Sequence, residues 1–325
     1  MTRVTLAEVA RAAEVSTATV SHALKGTGRM TPGTRARIRA LASLLGYGGA
    51  AVARTLGLAV TTYGRTDWNF MHVPYFAQSI VTATATAHRH GYALTTLPSL
   101  SDEDLWPALD VAGVVLIDSP AGDPIAEALR GRGVPLAFDG RPAEPMPGEV
   151  WVDNDHTAAT RLVLDHLTAQ GARDVALLAG PGEEHYTRTC VAAYTDWCGE
   201  HGRAPQVVPD TYSKAPGGHL DSLLSSRDRP DAVFGIYDYC GRRVLESAAR
   251  VGVRIPQDLL LVCASEDPAY MGTAPPVTTL SLAPDVSMAA AVTALVRLIE
   301  RPTPTPAPTT APVRLTVRAS STLVR

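Results

Sequence analysis

Lysine is nearly missing from this 325-residue chain, which holds Lys25 and Lys214 against 27 arginines. That bias points to a GC-rich coding sequence and says nothing of function. Cysteine is equally sparse. Cys190, Cys198, Cys240 and Cys263 are dispersed, without a Cys-x-x-Cys pair or histidines at zinc-finger spacing. They read as buried free thiols in a reducing cytosol, not as disulfides or a metal set. No apolar run reaches the roughly 18 residues that a membrane helix needs. The N-terminus has no charged leader followed by an apolar stretch, so no secretion signal is expected and the cytoplasm is the expected location. Catalytic signatures are missing too. There is no Gly-x-Ser-x-Gly, no His-Glu-x-x-His and no Walker Gly-Lys-Ser/Thr. Gly180-Pro181-Gly182 approaches a dinucleotide fingerprint, but His185 stands where its third glycine belongs. The nine histidines do not cluster at ligand spacing. Asp153 and Asp155 flank Asn154 at a strand–helix turn, where capping accounts for them better than a metal does. Neither an enzyme, a cofactor nor a metal is expected.

What remains is an ordinary globular composition, 46% hydrophobic and 19% charged, long enough for two or three domains. The net charge of −3 hides an asymmetry. Residues 1–58 carry eight basic side chains against Glu8 and Glu14, a net of +6, leaving −9 on the other 267 residues. A basic head on an acidic body is the electrostatic footprint of nucleic-acid binding. Within that head Leu6, Val9, Ala10 and Ala13 share one helical face, and Thr5 with Glu8 spells a capping box. Ser16 opens a second run with Val20 and Leu24 on one face. Two short helices joined by about four residues are either a packing hairpin or a helix-turn-helix whose second helix enters the DNA major groove. The charge favours the latter. Thr17, Ala18, Ser21 and His22 would then face the groove, small or polar as close approach to base edges requires. Thr31 and Pro32 open a third helix to about Leu45, with Ile38, Leu41 and Leu45 closing a three-helix core.

The run from Val4-Thr5-Leu6 through Val15-Ser16-Thr17-Ala18-Thr19-Val20-Ser21-His22, then Thr31-Pro32-Gly33-Thr34-Arg35 and Leu45-Gly46-Tyr47, resembles the DNA-binding head of LacI-family transcriptional regulators. Glu14 departs from the Gly or Asn often found in that turn. A left-handed Glu costs about 1 kcal/mol, which is tolerable. The resemblance implies base contacts from Thr17, Ala18 and His22, and phosphate contacts from Thr5, Ser16, Thr19, Ser21 and Arg29. It also implies a hinge helix in which Ala53-Arg54-Thr55-Leu56 matches the family's motif, with Leu56 wedged into the minor groove. Yet residues 56–60 already read as a strand, and the linker looks several residues short. Either the hinge helix forms or it is missing.

From residue 56 apolar strands (56–60, 92–97, 113–117, 136–138, 175–178, 232–236, 259–264) alternate with helical stretches. These include 75–90 and 157–170, ended by Gly91 and Gly171. Such alternation implies parallel sheets flanked by helices. The markers 175–181, 276–279 and 315–320 resemble the two-lobed, periplasmic-binding-protein-like effector domain of the same family. Residues 302–312 read as an exposed Pro/Thr-rich connector. The expected fold is thus an all-α helix-turn-helix head (1–48), a short hinge (49–56) and an α/β effector and dimerisation domain (57–325). Its lobes would span about 57–152 with 283–309, and 153–282 with 310–325.

Ligands of two-lobed sheets lie between the lobes at the C-terminal strand ends. By resemblance the effector contacts are Tyr75, Phe76, Asp139 and Arg188, followed by Tyr237, Asp238, Ser265 and Glu266. For each of the first four a structural role is the alternative: helix packing, a turn or cap, surface ion-pairing. Tyr237-Asp238 stands where many members have Asn-Asp, and Ala264-Ser265-Glu266-Asp267 replaces the usual aromatic-Asp-Asp. No particular sugar is therefore implied. The loop 64–72, with Trp68 and Phe70, either covers the cleft or wanders on the surface. The reading is a homodimeric repressor that binds a pseudo-palindromic operator in double-stranded DNA and responds to a small molecule, a sugar or related metabolite. The alternatives are a sensor whose shortened hinge impairs DNA binding and, third, a transport binding protein, for which an export signal is missing.

Overall fold

The computed structural model describes residues 4–28, 30–45, 54–61, 70–96, 106, 109–180, 182, 184–209, 218–301 and 303–323. It divides into two compact units, Met1–Arg54 and Thr55–Arg325.

The first unit holds three helices, Leu6–Ala13 (α1), Thr17–Lys25 (α2) and Pro32–Leu44 (α3). The capping box forms: the Glu8 N–H donates to Thr5 Oγ1 at 3.3 Å, and the Thr5 N–H donates to Glu8 Oε2 at 2.6 Å. Glu14 ends α1 in the left-handed region at φ 55°. Ser16 caps α2 by accepting from the Thr19 N–H, and Thr31 caps α3 by accepting from Thr34. Helices this short are marginal alone, so packing must hold them. Val9, Ala13, Val20, Ala23 and Ile38 are fully buried at the point where the three helices meet. Arginines of α3 then bind the carbonyl ends of the other two helices. Arg37 donates to Ala13 O at 3.0 Å and Arg39 to Ala23 O at 3.1 Å. These bonds satisfy orphan carbonyls and set cations at negative helix ends. Part of the head's basic charge is therefore structural.

The second unit contains two six-stranded sheets. The first orders Thr309–Ala311 (β11), Val150–Asn154 (β5), Leu136–Asp139 (β4), Gly113–Ile117 (β3), Thr55–Val60 (β1) and Ala93–Thr96 (β2), with every pairing parallel. The second orders Arg314–Thr316 (β12), Thr278–Ser281 (β10), Leu260–Ala264 (β9), Ala232–Gly235 (β8), Val175–Ala179 (β6) and Gln206–Pro209 (β7). Only β12 is antiparallel in it. Both faces of the first sheet are covered, which explains its unbroken apolar strands. On β3, Val115 and Ile117 face Pro74–Arg89 (α4) and Pro284–Glu300 (α10). Val114 and Leu116 face Trp106 and Leu129 of Pro124–Gly131 (α5). The second sheet packs His156–Ala169 (α6), His185–Glu200 (α7), Gly218–Ser225 (α8) and Cys240–Val251 (α9).

Two expectations are corrected here. Leu56 is no groove-inserting hinge residue: it lies in β1, opposite Leu94 and Gly113, with no exposed surface. A central strand of a parallel sheet outcompetes a wedge, because burying Leu gains roughly 1.5–3 kcal/mol. Thus β1 takes in the last two residues of the expected 49–56 hinge. The 302–312 connector is likewise not wholly irregular, since β11 pairs with β5 through Thr309, Thr310 and Ala311.

The chain passes between the sheets three times, after β5, after β10 and after β11. Asn154 joins all three passages. Its Nδ2 donates to Leu282 O at 3.1 Å and to Ala311 O and Pro312 O at 3.2 Å each.

Candidate functional site

Two surfaces hold the residues singled out above. On α2 the helical period separates a buried stripe, Val20 and Ala23, from an outward one. Thr17, Ala18 and His22 are exposed and Ser21 is half-exposed. His22 is held by its neighbour Gly28, at φ +78°, where a Cβ would lie 3.0 Å from the His22 side chain. The expected phosphate contacts are less free. The Thr5 hydroxyl donates to Glu8 Oε2 at 2.9 Å, and Ser16 and Thr19 hydrogen-bond each other at 2.8 Å. The Thr5 hydroxyl and whichever of Ser16 and Thr19 donates must exchange such bonds to donate elsewhere. Arg29 and Ala53 lie outside the described residues.

The second surface is the cleft between the two sheets, with about 910 Å³ of non-atom space that includes open solvent at its mouth. Its walls are the C-terminal strand ends of both sheets, where helix starts and loops present side chains. Tyr75 and Phe76 come from the start of α4, Asp118 and Gly140 follow β3 and β4, and Asp153 and Asn154 end β5. From the other side come Glu184 and Tyr186 at the start of α7, Tyr237 and Asp238 after β8, and Ser265 and Glu266 after β9. The structure thus brings together six of the eight expected effector residues.

The other two differ. Asp139 sits behind the wall, 2% exposed, and accepts from the Tyr75 hydroxyl at 2.9 Å. Burial raises its carboxyl to about 6, against the opposing pull of the Tyr75 hydrogen bond. Arg188 is exposed on α7 and does not line the cleft. The helix begins at His185 and turns Tyr186 and Thr187 inward, which rotates the next position out.

Several lining residues were not anticipated. The His156 Nε2–H donates to Asp153 Oδ1 at 2.8 Å. Asp118 ends β3 in the left-handed region, at φ 50°. Gly140 lies against it, where a Cβ would stand 2.6 Å from Asp118 Oδ1. Burial, then the charges of Glu184, Asp139 and Asp153, push the Asp118 carboxyl well above the usual carboxylate range. Aspartates that close apolar strands were the available signal, and Asp118 after Gly113–Ile117 fits it. Asp238 and Glu266 are tied down locally. Asp238 Oδ1 accepts from the Ser265 hydroxyl and the Glu266 N–H, and Glu266 accepts from Ser281 and the Leu282 N–H. Burial still raises Asp238 to about 6. Tyr237 hydrogen-bonds Thr187 at 2.6 Å, stacks with Tyr239 and meets Tyr186 edge-on. All four cysteines are buried. Burial pushes the Cys190 thiol up to about 12, leaving it without nucleophilic thiolate at neutral pH.

A basic helix-turn-helix unit joined to a two-sheet α/β body with a lined cleft defines a class: a DNA-binding transcriptional regulator that reads a small molecule. The comparisons agree. Residues 5–48 match the bacterial regulatory proteins of the lacI family, and residues 164–321 match the periplasmic binding protein-like domain. The HTH-type transcriptional regulator CelR of Thermobifida fusca is 27% identical over 302 residues, covering 86% of this chain and 87% of that protein. The HTH-type transcriptional repressor PurR of Glaesserella parasuis is 25% identical over 292 residues, covering 85% and 84%. Among solved structures, the lac repressor dimer bound to operator and the anti-inducer ONPF superposes with a TM-score of 0.76 at 21% identity, covering 99% of this chain and all of that one. A CelR–cellobiose complex gives 0.70 at 24% identity, with 98% and 100% covered. One chain therefore carries both a lacI-family regulatory domain and a periplasmic binding protein-like domain, the pairing found in the LacI-family regulators it resembles.

Proposed function

We propose that this chain acts in the cytoplasm as a homodimeric repressor. Each head lays α2 in a major groove, with Thr17, Ala18 and His22 at base edges. Thr5, Ser16, Thr19, Ser21 and Arg29 fix the register on phosphates. Two symmetric heads call for a pseudo-palindromic operator. A sugar or related metabolite in the interlobe cleft shifts the operator affinity, which requires that it bind one conformation better than the other. Neither the cleft nor the head is assigned catalysis. The observation that carries this reading is the outward stripe of α2: its small and polar side chains stand free of the three-helix core that consumes the apolar face.

Leu56 favours a second reading. Its burial leaves ten residues between α3 and β1 and removes the wedge. Docking then rests on α2 alone, or the protein is a sensor with impaired DNA binding. Fluorescence anisotropy against the gene's own upstream DNA separates the two. A preference of tens-fold or more over a scrambled duplex, at near-physiological salt and reduced by His22→Ala, supports the repressor. Equal binding to both duplexes, and no enriched sequence in a random-site selection, supports the sensor.

A further inference from the structure

The cleft is acidic in an unbalanced way. Asp118, Asp153, Glu184, Asp238 and Glu266 line it, and no arginine or lysine does so among the described residues. Asp153 has His156 at 2.8 Å and His185 at 3.6 Å. Asp238 and Glu266 have the local donors described above. Among the described residues the Asp118 carboxyl has no hydrogen bond or ion pair, and the charges that act on it are those of Glu184, Asp139 and Asp153. Glu184 is 3% exposed. Its Oε1 accepts from Thr187 and Tyr237, while its Oε2 accepts from no described residue. Arg141 and Arg188 act on His185, but both are exposed and outside the lining. His156 adds a further acceptor: with Nε2–H donated to Asp153, its buried Nδ1 has no partner among the described residues.

Asp118 and Glu184 come from opposite sheets. A poorly solvated cleft with both groups on its walls disfavours ionising the two together, whereas a cation between them favours it. Among the described residues no three His, Cys, Asp or Glu side chains converge to hold a metal ion. The charge to be matched is then organic. Around it stand Tyr75, Phe76, Tyr186, Tyr237 and Tyr239, whose ring faces also attract cations.

We propose that the effector carries a protonated amine or amidine, held between Asp118 and Glu184 across the interlobe cleft. This rests on the reading of that cleft as the effector site. An amino sugar and an aliphatic polyamine share this chemistry and differ in the rest of the molecule.

Isothermal titration of the full-length protein with matched probes tests it: D-glucosamine against D-glucose, and cadaverine against 1,5-pentanediol. The expected result is that one amine binds about ten- to a hundredfold more tightly than its neutral partner, as a charge-assisted hydrogen bond would give. Which pair responds identifies the amino-sugar or polyamine source. Asp118→Asn and Glu184→Gln abolish the preference, while Arg188→Ala keeps it. Asn tolerates the left-handed backbone at position 118, so that variant retains its fold. Glucose binding as tightly as glucosamine, or no binding of either amine, overturns the inference. In the first case, loss of glucose binding on Tyr237→Ala leaves the effector-site reading standing. A bound probe that leaves operator affinity unchanged counts against that reading instead.

Discussion

The Asn154 side chain touches all three passages between the sheets, and replacing it by Asp isolates what its amide contributes. The substitution keeps the shape and exchanges the –NH2 for an oxygen. Leu282 O, Ala311 O and Pro312 O, at 3.1–3.2 Å, then face an acceptor instead of a donor. An amide has two hydrogens, so the three contacts amount to about two bonds. Each is worth about 0.5–1.5 kcal/mol net, and leaving a buried carbonyl unmet costs about 1–3 kcal/mol. The expected loss is about 2–4 kcal/mol, a fall of roughly 4–7 °C in melting temperature for a unit of this size. A protonated Asp can donate one hydrogen, so the deficit should shrink at pH 5 and grow at pH 8. The sign follows from linkage: a carboxyl whose folded pKa is raised loses native-state stability as pH rises above its unfolded value. Thermal melts of the full chain by circular dichroism at both pH values test this. A variant melting within about 1 °C of wild type at pH 8 would refute the view that Asn154 clamps the crossings.

Other outcomes follow from the same contacts. Gly28→Ala brings a Cβ to 3.0 Å from His22 at a φ of +78°. It should cost about 1 kcal/mol and reduce the preference for operator over scrambled DNA, read by anisotropy. Leu56→Ala should cost about 2–5 kcal/mol in urea unfolding, as truncation in a packed core does. An unchanged urea midpoint with weakened operator binding would instead restore the minor-groove wedge. Asp139 and Asp238, raised to about 6 from 3.8, bind protons more tightly when folded. Stability from these groups should therefore fall as pH rises from about 4 to above 6. Asp139→Asn should remove its share of that slope in urea titrations, and an unaltered slope would contradict the assignment.

Local chemistry made much of this chain legible. Thr5 with Glu8 and Thr31 before Pro32 announce helix starts, and each caps as read because capping involves groups three residues apart. The apolar runs 113–117 and 175–178 are strands because both faces of a parallel sheet are dry, a condition written into consecutive residues. Tyr75, Tyr237 and Glu266 could be placed at a cleft because strand ends follow from strand positions. Other features were decided only by the assembled body. Leu56 could serve a hinge or a sheet; the space between Leu94 and Gly113 decided it, and those partners lie 38 and 57 residues away. Arg188 sits one step of 100° from Thr187, so the docking angle of α7 alone turns it out of the cleft. The three carbonyls on Asn154 meet because segments up to 158 residues apart cross at one place. Asp118 and Glu184 line one cleft for the same reason. Sequence periodicity reports which face of an element is dry; it carries no information on which charges two separately folded sheets will bring together.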